Sequence, residues 1–195
     1  MISDIKQLIG QYVLNKNRKK FRRFKKVYNF KSAKYIGILF DATDEKHFDY
    51  VQDLYKFLRL TGIEVKVLGF VNDKDVPDKY LFKKDFFFFL RKSLNWYKKP
   101  INEEVEKFIH EKFDILIDLN LENHFAFRYI VGLSPAQFKV GRATKEPNYY
   151  DFMINIQKKK EVYYFIEQTR HYLEVINRPE LSPGIINPPR RTRKL

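Results

Sequence analysis

Apolar and polar positions over residues 35–71 follow a strand, helix, strand pattern. Residues 35–40 are almost continuously apolar, with the β-branched and aromatic bias of a strand that is covered on both faces. Apolar side chains then recur at helical spacing over 48–58, and Thr43 or Asp44 is a suitable N-cap for that helix. Residues 63–71 form a second apolar run. This pattern predicts a β-α-β unit with parallel strands.

The rest of the chain continues the alternation of strands and helices. Apolar runs at 86–90, 113–119, 138–140 and 150–156 predict four further strands. Asn102 is a suitable cap for a helix. The pattern of apolar residues predicts a short helix over 124–133 and a final helix over about 160–176. The order predicts an α/β fold with an open, mostly parallel Rossmann-like sheet and helices on both faces.

Both ends of the chain differ from this pattern. Ser3 can cap a first helix, and eight cations follow within residues 16–26. Residues 178–195 are rich in proline, a composition that predicts an extended tail. We therefore expect a basic helical extension at 1–31, a Rossmann-like domain at 32–177 and a Pro-rich basic tail at 178–195. The apolar face of the first helix is predicted to consist of Ile5, Leu8, Ile9, Tyr12 and Val13.

The formal net charge is +14, and residues 1–31 and 178–195 together carry +13 of it. Charge concentrated in this way points to a polyanionic partner: RNA, DNA or an anionic membrane. Aromatic side chains among the cations can pack on bases. Trp96, in a predicted loop, fits packing over the core better than base stacking. The candidate RNA-binding residues are Lys16, Arg18, Lys19, Lys20, Phe21, Arg22, Arg23, Phe24, Lys25, Lys26, Arg190, Arg191, Arg193 and Lys194.

Catalytic chemistry has little support in the sequence. The chain has no cysteine, which excludes disulfides, thiolate zinc sites and cysteine nucleophiles and fits a reducing cytoplasm. No apolar run approaches the roughly 20 residues of a membrane span, so we expect a soluble protein or one attached at most to a surface, with a cytoplasmic location. The first β-to-α turn is acidic and lacks glycine, so we expect no dinucleotide cofactor. No catalytic residue is assigned.

Carboxylates at the predicted strand ends offer one alternative. Asp41, Asp44 and Asp118 could together hold Mg²⁺ through oxygen ligands, although helix capping and loop hydrogen bonds explain the same residues. His124 opens a predicted helix near Asp118 and is the one histidine placed for acid–base work, with capping or packing as the favoured role.

Several phrases resemble a small uncharacterised bacterial family known only as a domain of unknown function. They are IGILFDATDE, VKVLGFVN, LNWYKKP, FDILIDLNLE, FKVGRA and YYDFMINI, within residues 20–176. FDILIDL with YIVGLSPAQFKVG is also similar to one half of the heptosyltransferase-type glycosyltransferases that build lipopolysaccharide cores. The first resemblance implies the fold and a bacterial origin. The missing second half argues against sugar transfer.

The sequence favours a non-enzymatic RNA-binding protein associated with the ribosome, with ribosomal RNA and ribosomal proteins as partners. Two alternatives remain open. The basic amphipathic N-terminal helix could attach the protein to an anionic membrane surface. The strand ends could instead form an acidic, metal-binding enzyme cleft.

Overall fold

The computed structural model of the protein describes residues 2–19, 22–81, 83–145 and 148–176. This part of the chain contains six strands and five α-helices. The strands are β1 (Tyr35–Asp41), β2 (Glu64–Val71), β3 (Phe86–Leu90), β4 (Ile115–Asp118), β5 (Phe138–Arg142) and β6 (Phe152–Ile154). The helices are α1 (Ile2–Arg18), α2 (Glu45–Leu60), α3 (Glu103–His110), α4 (Phe125–Leu133) and α5 (Val162–Val175).

The strands form one parallel sheet in the order β3-β2-β1-β4-β5-β6. β1 pairs with both β2 and β4, so the direction of strand addition reverses beside β1. This is the strand order of a Rossmann-like fold. The predicted α/β class is confirmed, with every pair parallel rather than most.

Local capping explains where the helices begin and end. The Asp44 carboxylate accepts a hydrogen bond from the Lys46 amide at the start of α2. The Asn102 side chain accepts from the amides of Glu104 and Val105 at the start of α3. Gly62, with φ of +82°, reverses the chain after α2, as glycine readily does. The cap at Asn102 was predicted from the sequence, and Asp44 was one of the two residues predicted for α2, the other being Thr43.

Two apolar layers cover the two faces of the sheet. Helices α2 and α5 pack on one face, where Phe48, Leu54 and Phe165 lie in a single buried cluster. Helices α3 and α4 cover the other face, with Phe108 and Ile130 buried there. Since both faces are covered, the central strands are almost wholly apolar.

Helix α1 belongs to the second layer. Leu14 is fully buried in that layer, and Gly10 lies against the ring of Phe125 on α4. The predicted apolar face is therefore divided: Ile9 and Val13 are half-buried, while Ile5, Leu8 and Tyr12 are exposed. Only part of this face contacts the domain, because Gly10, which lacks a Cβ, lies at the closest approach to α4.

Candidate nucleic-acid interface

The predicted basic run begins on α1 and continues at residues 22–28, which we call the basic segment. Helix α1 ends at Arg18, and residues 22–28 form neither a helix nor a strand. A continuous helix would bring the cations together at i, i+3 and i+4 spacing, which is unfavourable. Six of the predicted RNA-binding residues lie outside the described residues: Lys20, Phe21, Arg190, Arg191, Arg193 and Lys194.

The basic segment is attached to the folded domain where β5 begins. The amide of Lys26 donates to the carbonyl oxygen of Gln137 at 3.2 Å, and the Tyr28 hydroxyl donates to the Gln137 side chain at 3.1 Å. Arg23 forms an ion pair with Asp151, which also accepts from Lys25 at 3.1 Å. Tyr28 itself is buried in the core. The basic segment is thus held against the domain.

Most of the cations nonetheless face solvent. We use the term basic surface for Lys16, Arg18, Lys19, Arg22, Arg23, Phe24, Lys25 and Lys26. All of them are exposed except Arg23, which is partly buried, and the Phe24 side chain is 73% exposed. Exposed cations beside an exposed aromatic ring can contact phosphates and stack on bases.

A second exposed aromatic group belongs to the loop at 94–100. Trp96 is 57% exposed and packs edge-on against Tyr97, so the prediction that it covers the core was wrong. In the same loop, the Lys99 ammonium lies 5.5 Å from the centre of the Tyr129 ring. The Tyr129 hydroxyl accepts from Asn17 on α1 at 3.5 Å. The loop at 94–100 and the end of α1 therefore meet at Tyr129.

Part of the basic surface surrounds a pocket of about 380 Å³. Five cationic side chains line it: Arg18, Arg22, Arg23, Lys25 and Lys139. The Arg18 guanidinium lies 4.1 Å from the centre of the Tyr149 ring at its rim. The remaining described lining comes from residues 132–135 and 148–150 and contains no carboxylate.

Lys139, on β5, is a residue that sequence reasoning missed. It is 3% exposed, and its ammonium donates to the carbonyl oxygen of Val131 on α4. Burial, together with the charge of the nearby Arg23, lowers its pKa from 10.5 to about 7. Its position between Phe138 and Val140 fits an outward-facing strand residue, and no local signal shows that α4 and the basic segment cover it.

Asp151 is the carboxylate that balances part of this charge. Burial alone would raise its pKa, but hydrogen bonds from Arg23, the Lys139 amide and Lys25 hold that pKa below its ordinary value. Asp151 therefore stays ionised and orients Arg23. The Nη1 atom of Arg23 is buried and has no hydrogen-bond partner among the described residues.

The carboxyl edge of the sheet holds the residues of the alternative metal site. Asp41 accepts from the Thr43 amide at 2.9 Å, and Asp44 caps α2. Asp118 is buried and accepts from Asn120 and from the Tyr150 hydroxyl, the latter at 2.7 Å. In the described ranges, no group of three His, Asp or Glu side chains is arranged to hold a metal ion. Asp41 and Asp44 make the loop and capping hydrogen bonds that were the other explanation for these residues.

Burial also changes the acid–base properties of that edge. It raises the pKa of Asp118 above its ordinary value, against hydrogen bonds from Tyr150 and Asn120 that favour the carboxylate. It also raises the pKa of Tyr150, and the neighbouring Asp118 charge raises it further. His124 precedes α4 as its N-cap residue, makes no side-chain capping hydrogen bond and packs edge-on against Phe127. Of the two roles favoured for His124, packing matches this ring contact, whereas the prediction of a capping side chain was wrong.

Comparisons with known proteins identify no characterised relative. The model of a family described as a family of unknown function (DUF6913) matches residues 6–176. No curated protein matches the chain, and no solved structure matches it. The bacterial origin and the likeness to heptosyltransferases stay predictions. No described helix is long and apolar enough to cross a membrane.

Proposed function

We propose that this chain, which belongs to the DUF6913 family of unknown function, is a non-enzymatic RNA-binding protein that associates with the ribosome. The observation that carries the proposal is the basic surface, a set of solvent-facing cations attached to a folded domain beside exposed Phe24. Its partners would be ribosomal RNA and ribosomal proteins, and the proposal implies a cytoplasmic location.

Electrostatics favour a polyanion over a neutral partner. Apart from the pair with Asp151, the residues of the basic surface have no carboxylate within ion-pair distance among the described residues. Contacts to phosphates would release counterions from the RNA. For six contacts to a single strand, the logarithm of the binding constant should fall with the logarithm of salt concentration with a slope of about −4.

The C-terminal cations are part of the same proposal. Arg190, Arg191, Arg193 and Lys194 stand at the end of a Pro-rich stretch, and together with residues 1–31 they carry most of the net charge. Two basic ends on a nearly neutral domain suit a protein whose ends contact ribosomal RNA while the domain docks on its surface.

The test is sedimentation of the full chain with ribosomal particles at roughly 50 and 200 mM salt, because phosphate contacts weaken steeply over that range. The test variant replaces exposed Lys16, Lys19, Arg22 and Lys26 with glutamine. A matched control replaces four exposed lysines outside the basic surface, Lys34, Lys46, Lys84 and Lys158. Both variants lose the same amount of positive charge. A local interface therefore predicts that the test variant leaves the ribosomal particles and the control variant stays bound. Equal loss in both variants would reduce the effect to net charge and refute the interface.

The exposed part of α1 supports a second candidate function. Leu8 and Tyr12 are 70% and 68% exposed, and the exposed cations Lys16 and Lys19 continue along the helix. Such a helix suits attachment to an anionic membrane surface. The test is co-sedimentation with vesicles containing phosphatidylserine, comparing the native chain with a variant carrying Leu8→Ser and Tyr12→Ser. Binding that needs these two side chains favours the membrane, whereas RNA binding should not need Leu8.

A further inference from the structure

We infer that the pocket between the basic segment and β5 is a specific binding site for a phosphate group, with Arg23 and Lys139 as its inner ligands. We call this site the seat. The inference rests on the proposed function, since the expected source of the phosphate is RNA. It goes further by separating one defined site from a diffuse basic surface.

The inner part of the pocket holds hydrogen-bond donors in fixed positions. Asp151 fixes Arg23 through one side of its guanidinium, and the Arg23 side chain lines the pocket. A guanidinium held in this way is suited to an anionic oxygen. The Val131 carbonyl accepts one of the three N–H groups of the Lys139 ammonium, and Lys139 also lines the pocket.

The outer part supplies further positive charge. Arg18, Arg22 and Lys25 line the rim, and the stacking of Arg18 on Tyr149 fixes the position of its guanidinium. At about 380 Å³ the pocket is larger than a phosphate group, which leaves room for an attached sugar. The arrangement therefore fits a phosphate carried on a nucleotide.

The charge on Lys139 makes the seat sensitive to pH. The charged groups that act on it are Arg23, Arg18 and Lys25, which disfavour its ammonium form, and Asp151, which favours it. A bound dianion adds negative charge that also favours the ammonium form of Lys139. Binding should therefore be coupled to uptake of a proton by Lys139. Affinity should then fall as pH rises above about 7, the pKa of Lys139 in the free protein.

Sulfate is the suitable probe, because it has the shape of phosphate and keeps its charge over the whole pH range of the test. The experiment is calorimetric titration of the full chain with sulfate at constant ionic strength, with chloride as the reference ion. The variants are Lys139→Met, Arg18→Gln as a second test at the rim of the pocket, and Lys158→Met as an exposed control. Thermal unfolding checks that each variant is folded.

We expect sulfate binding by the native chain and the Lys158→Met control, with affinity that falls between pH 6 and 9. Loss of one charged hydrogen-bond donor should weaken binding by about tenfold or more in Lys139→Met and remove its pH dependence. Arg18→Gln should weaken binding and keep the pH dependence. Equal affinity in the native chain and Lys139→Met would overturn the seat.

Anisotropy titration of a short single-stranded RNA separates this inference from the proposed function. Weaker RNA binding by Lys139→Met than by Lys158→Met shows that RNA supplies the phosphate. Unchanged RNA binding, with sulfate binding lost, assigns the seat to a free phosphate-bearing molecule. If the native chain binds no RNA while Lys139 is needed for sulfate, the proposed function fails and the seat stands. If RNA binds and sulfate binding does not depend on Lys139, the seat fails alone.

Discussion

Replacing Lys139 with methionine should stabilise the protein at neutral pH. Lys139 is 3% exposed, and burial lowers its pKa from 10.5 to about 7. A pKa difference of that size corresponds to about 5 kcal/mol of destabilisation of the charged form. Methionine has a similar length, adapts to irregular space and carries no charge.

The same substitution removes one favourable contact. Without the ammonium, the Val131 carbonyl loses a donor, which costs about 1–3 kcal/mol. The expected net gain at pH 7 is therefore about 2–4 kcal/mol in the free energy of unfolding. A gain of this size is unusual for a single substitution, because most destabilise.

The sign of the pH dependence follows from the lowered pKa. Between pH 7 and 10.5 the unfolded chain binds more protons than the folded one at Lys139, so native stability from this group rises with pH across that window. The advantage of Lys139→Met should therefore shrink by about 3–4 kcal/mol between pH 7 and 10. The lost Val131 hydrogen bond affects both pH values alike and does not alter this difference.

The assay is urea unfolding of the native chain, Lys139→Met and the exposed control Lys158→Met at pH 7 and pH 10, in chloride without sulfate or phosphate. The control should change stability little and equally at both pH values, because its ammonium stays hydrated. A difference between Lys139→Met and the native chain that is the same at both pH values would refute the reasoning. So would a variant that is less stable than the native chain at pH 7.

Two other substitutions test the packing of the helices. Gly10→Val should destabilise the fold by about 1–3 kcal/mol, because a Cβ there would lie 2.8 Å from the Phe125 ring. Urea unfolding measures this loss, with Gln7→Ala at an exposed position on α1 as the control. An unchanged midpoint would show that α1 adds nothing at that contact. Asn102→Ala should lower the free energy of unfolding by about 1 kcal/mol, because it removes the cap of α3. Asn102→Asp should retain most of the stability, since aspartate also caps helices. Equal losses in both variants would exclude capping as the cause.

The elements of the fold could be predicted because their signals are local. The apolar run that became β1 and the caps at Asp44 and Asn102 each depend on a few neighbouring residues. The alternation of strands with helices restricts the connections to parallel, Rossmann-like ones. The same local reasoning was wrong for Trp96, because the exposure of a loop side chain depends on where the loop lies relative to the core.

The candidate site was predictable only in part, for a physical reason. Composition and charge by themselves determined that the ends are basic, that Phe24 stands among cations, and that cysteine chemistry is excluded. Only the tertiary structure decided which of those cations share a pocket, because Arg23 and Lys139 are far apart in the chain and meet through Asp151 and the start of β5. Burial is a property of the assembled layers, so the lowered pKa of Lys139 has no counterpart in the local sequence.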